Sequence, residues 1–101
     1  MEERIRAIID AKIKESIVGI YRIDEIVKIV SNNINAHKDL SISDTLILGI
    51  IIGRVYNSFY YQHRRILGRD PNDKEFTDFL ELLKDNLTGL VNTILARKKI
   101  G

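Results

Sequence analysis

The sequence predicts an all-α protein: a single helical domain over residues 1–101, folded as a compact four-helix bundle with a long antiparallel hairpin of its third and fourth helices. Three observations carry that expectation. Apolar residues recur at three- and four-residue steps along most of the chain, which is the period of an amphipathic helix. The sharpest break, Asp70-Pro71-Asn72-Asp73, joins two long periodic stretches by a short turn, so these should lie side by side and antiparallel. No internal repeat, low-complexity segment or Gly/Ser linker divides the chain, and 101 residues suit one domain.

The first helix is expected over residues 2–18, where Ile5, Ile8, Ile9, Ile13 and Ile17 form one stripe between charged residues and Gly19 offers a stop. The second is expected over 22–33, with Ile23, Ile26, Val27 and Val30 as its apolar face. Ser31-Asn32-Asn33 and Asn35 favour exit, because their side chains compete for backbone hydrogen bonds. Residues 34–43 read as a connector. Ser41 followed three residues later by Asp44 resembles a capping box with a shortened acid, and the third helix should run over 44–67 to Gly68. Its first half is apolar nearly all round. A run such as Ile50-Ile51-Ile52 could be a buried strand in isolation, but Val55, Phe59 and Ile66 continue the helical spacing. At the next start, Asp70 can cap with Pro71 in the first helical position, or Asn72 and Glu75 can form a capping box. The fourth helix is expected over 73–97, its stripe running from Phe76 and Phe79 through Leu83, Leu87 and Leu90 to Ile94; residues 98–101 should fray. The predicted core is Ile8, Ile26, Val30, Leu48, Ile52, Val55, Phe59, Phe79, Leu83, Leu87 and Leu90.

Composition narrows the function. Hydrophobic residues make up 45% and charged residues 30%, enough for a core and a solvated surface and unlike a disordered chain. With no cysteine, disulfides, thiolate nucleophiles and cysteine metal sites are excluded. The longest apolar run, residues 46–53, is far below the about 20 residues of a membrane span. The charged opening Met1-Glu2-Glu3-Arg4 lacks the apolar centre of a signal peptide, so no membrane partner and a cytoplasmic location are expected. A net charge of +2 does not by itself imply nucleic acid. Eighteen isoleucines with single Gln and Met residues suit either a thermophilic source or an AT-rich genome.

Catalytic constellations are missing. His37 and His63 have no second histidine or carboxylate at metal-ligand spacing on a shared helix. No serine sits in a Gly-x-Ser-x-Gly turn, and no glycine-rich phosphate loop occurs. A protein that is not an enzyme, with no cofactor and no metal, is therefore expected. Gly49-x-x-x-Gly53 would allow another helix to approach closely, more readily one within the chain than one from a partner.

Two surfaces could bind. Residues 45–69 carry no acid, while Arg54, Arg64, Arg65 and Arg69 give +4. Arg54, Ser58, Tyr61 and Arg65 share a helix face that could follow phosphates, with Tyr61 stacking on a base. Residues 70–86 hold six acids and two lysines, so pairing of Arg64, Arg65 and Arg69 with Asp70, Asp73, Glu75 and Asp78 is the favoured reading. A helix-turn-helix does not fit, because the connector is about ten residues long and the third helix begins apolar. The other surface is apolar. Ile17, Val18, Ile20 and Tyr21 at a helix end, with Ile47 and Ile51 on the third helix, exceed what one stripe per helix requires.

The leading expectation is thus a non-enzymatic protein-interaction module with a protein partner or self-association. In size and helical style the chain is similar to the small accessory subunits of archaeal polymerase assemblies. That resemblance implies a place in a larger nucleic-acid machine, with nucleic acid met directly or through a partner. The alternative is a nucleic-acid-binding protein using Arg54, Tyr61, Arg64, Arg65 and Arg69.

Overall fold

The computed structural model describes residues 1–35 and 39–97. Four helices follow in order: α1 (Glu3–Val18), α2 (Ile20–Ile34), α3 (Ile42–Leu67) and α4 (Asp73–Ala96), with no strand among the described residues. The all-α bundle and the α3–α4 hairpin are as the sequence predicts. The fraying expected at 98–101 lies outside the described residues.

Helix ends follow their capping chemistry. Ser41 Oγ accepts from the Asp44 N–H at 3.1 Å while the Asp44 carboxylate accepts from the Ser41 N–H at 2.9 Å, so α3 begins at Ile42, two residues before the expected start. At the head of α4, the Asn72–Glu75 box forms, with bonds of 2.8 and 2.9 Å. Gly68 closes α3 in the left-handed conformation at φ 70°, its N–H bonded to the Arg64 carbonyl. Gly19 behaves differently. At φ −82° and ψ 15° it sits in the bridge region next to the helical one, at a negative φ. Its N–H bonds to the Glu15 carbonyl, and its own carbonyl accepts from Arg22 and Ile23, so α2 starts at Ile20 instead of residue 22.

α4 is the spine. It packs against α3 on one side and α2 on the other, and α1 packs on α2 alone. Its stripe buries Phe76, Phe79, Leu83, Leu87, Val91 and Ile94; α3 adds Leu48 and Ile52, and α2 adds Ile26. Val30, Phe59 and Leu90 are half-buried against this cluster. Near the hairpin turn the core is aromatic. The Phe59 and Phe79 rings stack at 4.7 Å, and Tyr56 lies within 6.4 Å of Phe59, Phe76 and Phe79.

Two expected core residues are not in it. Ile8 is 68% exposed, because α1 buries no residue at all. Val55 is 48% exposed. The contact line on α3 follows the four-residue row Asp44, Leu48, Ile52 and Tyr56, so Val55 falls beside it. Asp44, at the head of that row, is fully buried; besides its cap it accepts from Arg97 Nη2 at 3.2 Å.

Removing a core ring should leave a cavity, and trimming an exposed residue should not. Phe79→Ala is expected to cost about 3–5 kcal/mol in urea denaturation, and Ile8→Ala to stay within about 0.5 kcal/mol in the monomer. Equal losses would contradict the placement of α1.

Candidate interaction surface

The junction between α1 and α2 is one residue long, and it sets the geometry of everything near it. Backbone bonds run into and out of Gly19, so α1 cannot reverse direction and lie along α2, as helices joined by a loop of about 2–5 residues do. α1 instead meets the body only through its last turns, from Lys12 to Val18. Ile5, Ile8, Ile9, Ile13 and Ile17, the stripe that the period marks for burial, are 47–68% exposed.

The body offers a matching feature. α2 and α3 both pack on α4 but not closely on each other. A groove of about 770 Å³ opens between them, walled by Ile23, Val27, Val30 and Ile34 on one side and by Gly49, Ile52, Gly53 and Tyr56 on the other. Lys12, Glu15, Ser16 and Val18, in the last turns of α1, also line it. The tight crossing expected within the chain at Gly49-x-x-x-Gly53 is not made. A Cβ at either glycine would meet no atom within 4 Å, because α4 holds α2 and α3 apart. The two glycines leave a bare strip along one wall of the groove.

The sequence-marked apolar residues divide. Ile17, Val18, Ile20 and Tyr21 are exposed around the junction. Ile47 and Ile51 are half-buried and pack against the core cluster.

Polar contacts pin the junction in place. Arg22, at the head of α2, donates to Tyr60 Oη at 2.5 Å, to the Pro71 carbonyl at 3.0 Å and to Asp73 at 3.2 Å. Its guanidinium lies 5.0 Å from the Phe76 ring centre and 5.8 Å from that of Tyr60. Arg64 bridges Glu15 of α1 and Asp70 of the hairpin turn. Those bonds hold both carboxylates below their usual range. One guanidinium ties α2 to the α3–α4 turn, and the other ties α1 to it. Sequence reasoning had no means of finding Arg22, whose partners lie 38 to 51 residues away.

The basic face also divides. Arg64 is engaged as above, and Arg69 donates to Glu75 at 2.6 Å. Asp73 pairs with Arg22, not with an arginine of α3. The expected pairing of Arg65 and Asp78 is not made: both are exposed, and neither joins an ion pair among the described residues. Arg54 and Tyr61 are exposed as well, so Arg54, Tyr61 and Arg65 keep one free face. His63 bonds through Nδ1 to the Phe59 carbonyl at 2.8 Å, with Nε2 3.3 Å from Glu75. His37 lies outside the described residues. Among those described, no three His, Asp or Glu side chains gather where they could hold a metal ion, and no helix is long and apolar enough to cross a membrane.

No protein-family model matches this chain, and no curated protein or solved structure is significantly similar to it.

The Arg69–Glu75 contact should be visible in acid. Arg69, together with the Asn72 backbone N–H, lowers Glu75 from the ordinary glutamate value of 4.5 to about 2. A carboxylate whose pKa is lowered by folding stabilises the fold above its unfolded value and stops doing so as pH falls through the folded one. The thermal midpoint should therefore drop between pH 4.5 and 2, with Glu15 and Asp70 adding to the fall. Glu75→Gln should melt lower at neutral pH and lose less on acidification. An unchanged acid profile in that variant would contradict the pairing.

Proposed function

We propose that the chain is a non-enzymatic protein-interaction module, which docks through the isoleucine face of α1 and the groove between α2 and α3. The observation that carries this reading is a 16-residue amphipathic helix that buries nothing. Single exposed apolar residues are ordinary, but a contiguous stripe on one helix is the kind of surface that marks an interface. Around its C-terminal half the charges are locally committed: Lys14 to Asp10, Lys12 to Glu15, and Arg64 to Glu15. Apolar contact, not long-range charge, is then the means of recognition.

A second reading has one observation in its favour. Arg54, Tyr61 and Arg65 are exposed on a common face of α3, and neither arginine joins an ion pair among the described residues. A phosphate backbone could follow that face, although Arg64 and Arg69 are already held by acids.

Site-specific photo-crosslinking in cells separates the two. A photoreactive residue at Ile9 is expected to form protein adducts, and one at Tyr61 no nucleic-acid adduct. Purified chain is likewise expected to show no DNA binding at physiological salt that Arg54→Ala with Arg65→Ala removes. A nucleic-acid adduct at Tyr61, together with binding lost in that double variant, would replace the first reading by the second.

A further inference from the structure

We infer that the occupant of the α2–α3 groove is α1 of a second copy of this chain, exchanged reciprocally to form a twofold dimer. The inference rests on the interaction reading above and names its partner.

The junction argues against closure within one chain. A helix can fill the open corner of a bundle only if its connection lets it turn back, and here the connection is Gly19 alone, bonded on both sides into helical turns. A second molecule is under no such restraint. Exchange of an element between protomers across a hinge too short for closure is a low-cost route to a dimer.

Dimensions agree. α1 has 16 residues and is about 24 Å long at 1.5 Å per residue. The wall of the groove on α3 runs from Thr45 to Tyr60, the same number of residues. The wall carries two glycines, and the helix that would meet it carries five isoleucines. Bulky side chains against a bare backbone strip is the pairing by which helices approach closely.

Area agrees too. The chain exposes 7644 Å², against about 5,800 Å² for a folded monomer of its mass. Its radius of gyration is 15.5 Å, where a compact domain of this length has about 13 Å. The excess surface is on the order of 1,000–2,000 Å², which covers the roughly 800 Å² that each partner gives to a stable interface. Reciprocal exchange buries two stripes and two grooves at once, so it meets the requirement of a closed twofold contact.

Sedimentation of the full chain at about 10 to 200 μM is expected to show a dimer. Gly49→Leu with Gly53→Leu puts bulk into the groove from two positions where an added Cβ meets no atom within 4 Å, and it should give a helical monomer. Ile9→Asp with Ile13→Asp should do the same from the other side, since neither residue is buried. The chain has no cysteine of its own, so single-cysteine chains can be mixed. Gly53→Cys is expected to form a disulfide with Ile5→Cys, Ile9→Cys or Ile13→Cys in another chain. A dimer that survives the double leucine change, or disulfides only between two α1 helices, would overturn the exchange. A strict monomer would also overturn it. If that monomer still binds an apolar dye, the interaction reading stands with a different protein as partner. If it binds none, and Ile9→Cys closes on Gly53→Cys in the same chain, both ideas fall.

Discussion

The one-residue junction at Gly19 is the constraint on which the rest of the molecule depends. Two helices joined without a loop cannot form a hairpin, so α1 is denied the place that its isoleucine stripe would otherwise take. Three consequences follow. The core must be completed by α2, α3 and α4 alone. The α2–α3 groove keeps its glycine wall uncovered. The stripe itself stays in contact with water. Arg22 and Arg64 secure that arrangement by binding the ends of α1 and α2 to the hairpin turn.

Such a design leaves the hydrophobic effect unsatisfied in two places at once, on a helix and on the body beside it. Burying apolar surface is worth about 25 cal/mol per Å², so an isolated stripe and an isolated groove are both unfavourable in water. Covering one with the other removes both penalties. That complementarity, more than either feature alone, is what the proposed association rests on. The aromatic end of the core gives the groove a rigid wall, because Tyr56 lies in both the ring cluster and the lining.

Much of the fold is legible in the residues. The Ser41–Asp44 and Asn72–Glu75 boxes, the stop at Gly68 and the stripe of α4 are local patterns, and local patterns are what a sequence displays directly. Burial is less legible. Ile8 and Leu87 both sit on apolar stripes, the one on α1 the weaker, yet one is exposed and the other fully buried, because periodicity shows that a helix has an apolar face but not what covers it. Gly19 reads as a helix stop whether the chain reverses there or only bends. Gly49 and Gly53 signal a close helix approach, and the residues themselves do not say whose helix approaches. Arg22, and the contact of Asp44 with Arg97, were hidden for a related reason. Each depends on partners far along the chain, brought near only by the packing of α4.

The central claim is that the length of the junction, not the chemistry of α1, keeps this helix from its own groove. Inserting about five flexible residues after Gly19 tests it directly, with hydrogen exchange and sedimentation as readouts. The lengthened chain should become a monomer of smaller hydrodynamic radius, with the amides of α1 newly protected, while the parent chain stays associated. A lengthened chain that sediments and exchanges like its parent would contradict the claim.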